Sequence, residues 1–277
     1  MTLEGKVALV TGAGGQGIGA AAARDLAARG AQVVVNYRSN QQRAQEVVES
    51  IQAAGGNAHA IQADVIDEGQ VLRMVEEIVE RYGRLDIMVS TKGGHVPHIA
   101  GPRFAGKGEG HFAAIAARVG TRPFTELSWE AFAARVNGEL QAAFTITKAV
   151  VPVMERQHAG RLIYLSSEHS RGPAAPGMIA NGAAKAALNT FVVYLAHELG
   201  PLGITANVVS PAMVQVQATR WMQPAAFLEH VASATPLGRI AQPEDVARVI
   251  AFFASDDSAF MTGVYAPVTG GFGLARL

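Results

Sequence analysis

The sequence contains no cysteine. This absence excludes a disulfide framework, a thiolate metal site and a cysteine nucleophile. The sequence also has no excess of either charge, since 23 basic residues balance 23 acidic ones. Nucleic-acid surfaces and polybasic membrane patches need clustered positive charge, so this balance argues against both kinds of partner.

Long hydrophobic runs are missing as well. No window approaches the roughly 20 apolar residues that span a bilayer. The N-terminal segment, with its short apolar run Val7–Val10, lacks the longer apolar stretch and cleavage site of a signal peptide. We therefore expect a cytoplasmic protein without a membrane partner. Since 49% of the 277 residues are hydrophobic, the chain can form a sizeable core without disulfides or metal.

Short β-branched runs alternate with longer helical patterns along the whole chain. The runs typical of buried strands are Val7–Val10, Val33–Val35, His59–Gln62, Ile87–Val89, Leu162–Leu165 and Thr205–Val209. Between the third and fourth runs, apolar residues recur at helical spacing: Val71, Met74, Val75, Ile78 and Val79. Strands alternating with helices predict βαβ units. We expect one α/β domain over residues 1–277, a doubly wound parallel sheet of about seven strands with helices on both faces.

Two segments interrupt this alternation. The first, an insertion at about 95–123, is rich in glycine and has no sustained periodicity before Phe112. So long a stretch is usually a functional lid, or else a tolerated surface insertion. The second, at about 213–235, carries four large apolar residues: Trp221, Met222, Phe227 and Leu228. We expect both segments to cover an apolar pocket for a small-molecule substrate, with packing against a neighbouring subunit as the alternative.

A glycine-rich turn stands directly between the first strand and the first helix. Glycine lets the backbone approach a pyrophosphate closely, and the helix N-terminus supplies free N–H groups and a partial positive charge. A flexible turn is the alternative, but this position favours a nucleotide site and a Rossmann-type fold. The predicted phosphate contacts are Gly12, Gly14, Gly15, Gln16, Gly17, Ile18 and Gly19.

The residues after the second strand indicate which dinucleotide binds. An acidic residue there would hold the ribose 2′-hydroxyl and favour NAD. This chain instead has Tyr37, Arg38 and Ser39, with no carboxylate to repel a phosphate and an arginine that can pair with one. The sequence therefore favours NADP as cofactor, with NAD as the alternative. An ordinary solvent-exposed arginine is the other interpretation of Arg38.

Taken in order, these motifs resemble those of the classical short-chain dehydrogenase/reductases over nearly the whole chain. Further landmarks of that family are Asp64-Val65, Leu85–Val89, Val136-Asn137, Ser166-Ser167, Lys185–Leu188, Asn207–Pro211, Pro236–Arg239, Pro243–Ala247, Thr262-Gly263 and Gly270-Gly271. The resemblance implies an oxidoreductase that acts on a carbonyl/alcohol pair. It implies cofactor contacts at Asp64, Val65, Thr91, Lys92, Gly93, Lys185, Pro211, Met213 and Val214, and active-site roles for Asn137, Ser167, Asn181 and Lys185.

The resemblance also implies a homo-oligomer, since the family forms dimers or tetramers through its fourth and fifth helices. The apolar segments Phe144–Val151 and Phe191–Leu195 are compatible with such an interface. One departure lies in the glycine motif, where four residues (Ala13 to Gln16) stand in place of the family's three. We expect a bulged loop there. Another departure puts Lys92 where the family has an asparagine-rich turn, so its ammonium is expected beside the cofactor.

The largest departure concerns the tyrosine that the family has four residues before its lysine. That position is Asn181 here, four residues before Lys185. Residues four apart share a helix face, so both side chains point into one site. A carboxamide can donate and accept hydrogen bonds but cannot release a proton near neutral pH. Since general acid–base catalysis contributes about 10²–10⁴ in rate, the ordinary mechanism is expected to be severely weakened.

Three explanations for Asn181 stand open. Another side chain could supply the proton, histidine being the type best suited; the candidates are Tyr164, Glu168, His169, His95, His98 and His111. The fold could serve a reaction without hydride transfer, such as a cyclisation, dehydration or isomerisation. The asparagine could also be an introduced substitution in an otherwise ordinary enzyme. His95 and His98 lack a third ligand, so no metal is predicted.

Three functions therefore compete. The first is an NADP-preferring oxidoreductase in which Ser167 and Asn181 bind the reacting oxygen, Lys185 holds the cofactor ribose and Asn137 supports a water relay. The second is a non-redox enzyme on the same fold. The third is a binder that senses the nucleotide without catalysis.

Overall fold

The computed structural model describes residues 2–91, 123–172, 177–216 and 225–273, and its centre is a seven-stranded sheet. All neighbouring strands pair in parallel. Their order across the sheet is β3-β2-β1-β4-β5-β6-β7. The strands are β1 (Val7–Thr11), β2 (Gln32–Tyr37), β3 (Asn57–Gln62), β4 (Ile87–Ser90), β5 (Gly160–Leu165), β6 (Ile204–Pro211) and β7 (Tyr265–Val268). The six predicted strands are confirmed, and β7 is added at the edge.

The described residues contain seven α-helices. They are α1 (Ile18–Ala28), α2 (Gln41–Ala53), α3 (Glu68–Tyr82), α4 (Trp129–Gln157), α5 (Ile179–Leu199), α6 (Ala225–Ser233) and α7 (Pro243–Ala254). One core cluster holds residues of α1, α2 and α7, and the other holds residues of α3, α4 and α5. Helices packed on both faces of a parallel sheet confirm the doubly wound α/β fold. This packing also explains why the strand sequences are near-continuous apolar runs, since such strands are buried on both faces.

Helix α3 shows how the local sequence sets these elements. Asp67 caps its N-terminus by accepting a hydrogen bond from the backbone N–H of Gln70 at 2.9 Å. Gly83 ends it in a left-handed conformation with φ of 72°, which glycine adopts without strain. The predicted apolar stripe faces the core, since Val71, Met74, Val75 and Ile78 are buried and Val79 packs against them.

The strand order reverses between β1 and β4, which lie side by side with Thr11 opposite Ser90. In open parallel sheets, ligands bind in the crevice outside the carboxyl ends of the strands at such a reversal. The glycine-rich turn follows β1, and the serine pair follows β5. The topology therefore brings both predicted parts of the site to one edge of the sheet.

Several predicted features fall outside the described residues. These are Lys92, Gly93, His95, His98, His111, Trp221 and Met222, together with all of the 95–123 insertion except Pro123. Within the second predicted loop, at 213–235, the structure has the helix α6, which carries Phe227 and Leu228. No helix in the described part of the chain is long and apolar enough to cross a membrane.

Candidate active site

The turn after β1 has the shape of a phosphate cradle. Gly12 has φ of +66°, a conformation that favours glycine. A Cβ on Gly19 would lie 2.8 Å from Thr91 Oγ1 and 3.0 Å from the carbonyl oxygen of Gly12, so only glycine lets helix α1 approach the turn this closely. Gly17 precedes Ile18 at the N-terminus of α1, and no described side chain caps this end. Its backbone N–H groups therefore suit an anionic group.

The extra residue of the glycine motif is accommodated locally. The N–H of Gly15 donates to the carbonyl oxygen of Ala13 at 2.8 Å, which closes a tight turn inside the loop. Gly14 packs inward, since a Cβ there would lie 2.7 Å from that of Tyr37, whereas a Cβ on Gly15 would meet no described atom within 4 Å. Gly15 thus faces open space, and Gln16 is exposed beyond it.

Gly19→Ala is expected to lower the free energy of unfolding and to weaken dinucleotide binding. Overpacking costs about 1–3 kcal/mol, and here it opposes a gain in helix propensity of at most about 1 kcal/mol. Gly15→Ala is the matched control for the unfolding measurement, because its methyl group enters open space. Denaturant unfolding without cofactor measures the first effect and calorimetric titration with NADPH the second. Equal unfolding free energies for the two variants would contradict the close packing of α1.

The residues after β2 lie next to the cradle. Asn36 is buried, and its side chain accepts from the N–H of Gly12 at 3.3 Å and donates to the carbonyl oxygen of Ala63 at 3.1 Å. It ties the glycine loop to β2 and to the chain after β3. Arg38 and Ser39 are exposed just beyond it, and Tyr37 is half-buried. The arginine is therefore free to reach a ligand at this end of the cradle.

The other predicted cofactor contacts surround the same edge. Asp64 and Val65 are half-buried after β3, and the side chain of Asp64 accepts from the N–H of Ile66 at 3.3 Å. Thr91 follows β4 and donates to the carbonyl oxygen of Thr11 at 2.6 Å. Pro211 ends β6, and beyond Met213 the backbone at Val214 bridges to Ala241. The chain then returns over the glycine loop, with Val216 Cγ1 3.7 Å from the position of a Cβ on Gly17.

Lys185 is the centre of the second half of the site. It lies on α5, is only 8% exposed, and donates to the carbonyl oxygen of Leu165, the last residue of β5, at 2.7 Å. Its ammonium also pairs with Oε1 of Glu139 at 2.7 Å. Burial lowers the pKa of Lys185, while the Glu139 carboxylate acts in the opposite direction. The lysine is thus anchored where β5 ends.

Asn181 joins the same group of side chains through an arginine. Nη2 of Arg135 donates to Oδ1 of Asn181 at 2.7 Å, and Nη1 pairs with Oε2 of Glu139 at 2.9 Å. Glu139, which is 3% exposed, therefore joins the two cations Arg135 and Lys185. We call these four residues, Arg135, Glu139, Asn181 and Lys185, the α4–α5 network.

Sequence reasoning missed Arg135 and Glu139 and placed Asn137 in the site. Asn137 is exposed on α4, and the side chain of that helix that reaches Lys185 is Glu139. Two residues turn a helix by about 200°, so Asn137 and Glu139 point in nearly opposite directions. The expectation that Asn137 supports a water relay at Lys185 is therefore corrected. A signal was available, because Glu139 falls on the apolar stripe of α4 that includes Ala142, Ala143 and Ile146.

The serine turn lies against the start of α5. Ser167 begins a short 3₁₀ turn, and its Oγ accepts from the N–H of His169 at 3.4 Å. A Cβ on Gly182 would lie 2.8 Å from the carbonyl oxygen of His169. Glycine at 182 thus lets the turn and the helix pack closely, which brings the Ser167 turn and Asn181 together at the end of β5.

The proton-donor candidates separate clearly. Tyr164 is fully buried, and its hydroxyl is hydrogen-bonded to Thr147 inside the core. Burial also raises the pKa of its phenol above the ordinary value. Because its hydroxyl lies in the core, Tyr164 is not part of the site. Glu168 and His169 are half-buried in the serine turn, and the three histidines of the insertion lie outside the described residues. Nor do the described residues contain a cluster of three side chains that could hold a metal ion.

Comparison with known proteins agrees with this arrangement. Residues 6–225 match the sequence model of the short chain dehydrogenase family. An uncharacterized oxidoreductase of Methylorubrum extorquens is 39% identical over 272 residues, which cover 97% of this chain and 98% of that protein. A hydroxynaphthalene reductase of Aspergillus fumigatus is 35% identical over 279 residues, which cover 96% of this chain and 91% of that protein.

One solved structure that is similar to this chain contains a bound cofactor. It is a 7α-hydroxysteroid dehydrogenase bound to NADH and 7-oxoglycochenodeoxycholic acid, with a TM-score of 0.83 and 26% identity. The match covers 98% of this chain and 95% of that one. Sequence and fold thus agree, and the chain belongs to the short-chain dehydrogenase/reductase family, as an oxidoreductase that uses a nicotinamide dinucleotide on a small-molecule substrate.

Proposed function

We propose that this enzyme interconverts a carbonyl compound and an alcohol with NADP(H), and that Asn181 holds the reacting oxygen without acting as its proton donor. One observation carries this proposal: Lys185 is anchored at the end of β5, and Asn181 lies four residues before it on the same face of α5. Because residues four apart on a helix are neighbours, the two side chains act on one ligand.

The chain's residues fit the cofactor at both ends. The glycine cradle and the uncapped start of α1 suit the pyrophosphate, and Lys185 would hold the nicotinamide ribose. Thr91, Pro211, Met213 and Val214 border the same edge. When bound, the cofactor supplies or accepts the hydride.

The residues around the oxygen then define the chemistry. In the reduction direction the π electrons of the C=O bond move to the oxygen, which becomes an alkoxide. Ser167 Oγ and Asn181 Nδ2 would donate hydrogen bonds to it, and such prearranged donors stabilise charge that develops in the transition state. Since a carboxamide does not release a proton near neutral pH, the proton that completes the alcohol comes from water. Asn181 therefore stands where the family has its tyrosine but performs only part of that residue's task.

The preference for NADP rests on Arg38. It is exposed directly after β2, beside Tyr37 and Ser39, and its guanidinium would pair with the 2′-phosphate. Charge-assisted hydrogen bonds contribute about 1.5–3 kcal/mol, which corresponds to roughly 10–100-fold in affinity. Asp64, a carboxylate among the predicted cofactor contacts, lies after β3 instead, and its side chain accepts from the N–H of Ile66.

Arg38→Gln is expected to weaken NADPH binding by about tenfold or more and to leave NADH binding within about twofold. The reason is that only NADPH carries the phosphate that the guanidinium would contact. Arg73→Gln, an exposed arginine on α3, is the matched control and should change neither affinity. Calorimetric titration of both variants with both cofactors measures this. An equal loss for NADH and NADPH would remove the proposed phosphate contact.

The substrate is proposed to be a fused-ring ketone or its alcohol. Two similar proteins are named for hydroxynaphthalene reduction and for a hydroxysteroid, whose structure contains a 7-oxo bile acid conjugate. Both names point to rigid polycyclic compounds with an oxygen on the ring. A panel of bicyclic ketones such as 1-tetralones is therefore the first substrate test.

The enzyme is expected to consume NADPH faster than NADH with these ketones and to release the alcohol. The absorbance of the reduced nicotinamide follows the first quantity, and mass spectrometry identifies the product. The proposal fails if no ketone causes oxidation of NADPH or NADH and no alcohol causes their formation from NADP⁺ or NAD⁺. A non-redox reaction on this fold then becomes the better explanation.

We also propose that the protein forms a homo-oligomer through α4 and α5. Phe144 on α4 is 57% exposed, and Val193 and Tyr194 on α5 are 53% and 64% exposed. Large apolar side chains grouped on exposed helix faces mark association surfaces more often than isolated ones do.

A further inference from the structure

We propose that Arg135 is a positioning residue, which fixes the carboxamide of Asn181 so that its NH₂ group faces the substrate. The inference rests on the proposed function, in which Asn181 holds the reacting oxygen. It assigns a role to Arg135, a residue that the sequence did not predict in the site. It also explains how an asparagine at position 181 can hold the reacting oxygen.

The hydrogen bond from Arg135 fixes the direction of the Asn181 carboxamide. Nη2 of Arg135 donates to Oδ1 of Asn181 at 2.7 Å. A guanidinium has only donors, so it can bind the carbonyl end of the carboxamide and not the NH₂ end. The flip of the Asn181 side chain is thereby set. Its acceptor is occupied by Arg135, and its two N–H donors remain for the crevice.

Arg135 is itself held in place by Glu139. Its Nη1 pairs with Oε2 of Glu139 at 2.9 Å, one helical turn along α4, and the Arg135 side chain is 24% exposed. Glu139 is in turn held by Lys185 at 2.7 Å. An arginine with a fork of fixed donors can bridge a carboxylate and a carboxamide in this way, whereas a lysine has a single nitrogen on a flexible stem. The guanidinium is therefore held on both sides.

The α4–α5 network carries a net positive charge. The α4–α5 network contains two cations, Arg135 and Lys185, and one carboxylate, Glu139. One positive charge is left beside Asn181 in a largely buried place. The Arg135 guanidinium lies against Oδ1 of Asn181, so it polarises the carboxamide and strengthens the hydrogen bonds that its N–H groups donate. Through Asn181 the network thus favours a substrate oxygen that gains negative charge.

The test is a double-mutant cycle of turnover with Arg135→Met and Asn181→Ala. Each single variant is expected to lower kcat about tenfold or more while KM changes less. The double variant should be no slower than Asn181→Ala, because Arg135 acts through that side chain. Arg156→Met, at an exposed position on the same helix and outside the proposed subunit interface, is the matched control and should keep the wild-type rate. Arg135→Lys should rescue little, since it cannot bridge both partners. Losses that multiply in the double variant would overturn the proposal.

A second measurement does not need turnover, so it separates this inference from the proposed function. The chain has seven asparagines, and ¹⁵N labelling of asparagine makes their side-chain NH₂ groups visible by NMR. The signal that Asn181→Ala removes belongs to Asn181. Arg135→Met should shift that signal, and Arg156→Met should not. If ketone reduction is absent but the signal shifts, only the proposed function fails. An unmoved signal means that Arg135 does not orient Asn181.

Discussion

Asn181→Tyr alone is expected to raise kcat/KM for ketone reduction by less than about tenfold, although it places a phenolic proton donor four residues before Lys185. A tyrosine at 181 would extend beyond the asparagine into the place of the Arg135 guanidinium, which lies 2.7 Å from Oδ1 of Asn181. The charge of Lys185 is also compensated by Glu139 at 2.7 Å. A compensated lysine lowers the pKa of a neighbouring phenol less than a free one does.

A triple variant removes both obstacles. Asn181→Tyr with Arg135→Ala and Glu139→Asn gives the tyrosine room and frees the charge of Lys185, while the new asparagine can still accept a hydrogen bond from the lysine. We call this protein the tyrosine-restored variant. It is expected to gain about 10²–10⁴ in kcat/KM over the wild type, the range of general acid–base catalysis.

The decisive comparison is between the single and the triple substitution. Steady-state rates with 1-tetralone and NADPH measure it, and NADPH titration verifies that both variants bind the cofactor. Arg135→Ala with Glu139→Asn, without the tyrosine, is the control and should be slower than the wild type. If the single substitution alone gives the whole gain, Asn181 is an isolated lesion in an ordinary site, and the α4–α5 network has no role in catalysis.

Most of the fold could be predicted because it follows from local patterns. The buried strands are β-branched runs, and the α3 stripe is bounded by the cap at Asp67 and the glycine at 83. Strand β7 was not located because it is four residues long and contains Pro267. Proline is tolerated in sheets mainly at edges, and β7 is the edge strand beside β6. Its pairing depends on the completed sheet and not on its own sequence.

The site was predictable only in part, for a different physical reason. The glycine turn, Ser167 and Lys185 lie at spacings along the chain that match the family's motifs, and the structure brings them to one edge of the sheet. Arg135 and Glu139 act through contacts with α5, 46 residues away along the chain, and no spacing encodes such a contact. The family resemblance also indicated Asn137, which lies two residues before Glu139, the residue whose side chain contacts Lys185. Tyr164 looked available by sequence distance, but its hydroxyl points into the core.

The second large effect concerns how the rate depends on the substrate. If Asn181 and Ser167 bind the oxygen without protonating it, negative charge accumulates there while hydride transfers. Electron-withdrawing groups on the ketone should then accelerate the reaction strongly. In the tyrosine-restored variant the proton moves with the hydride, so the charge is smaller and the dependence weaker. The rate ratio between the most and least activated ketone is expected to be roughly tenfold larger in the wild type, about 1.4 kcal/mol of differential stabilisation.

The proposed role of Asn181 is tested most directly by kcat/KM for a series of 6-substituted 1-tetralones, from methoxy to nitro, with NADPH and with its deuterated form. The deuterium isotope effect establishes that hydride transfer limits the rate. A steep rise toward the nitro compound in the wild type, and a shallow one in the tyrosine-restored variant, is the predicted result. Equal steepness in the two proteins would mean that the wild-type oxygen receives a proton in the transition state, which contradicts the proposed role of Asn181.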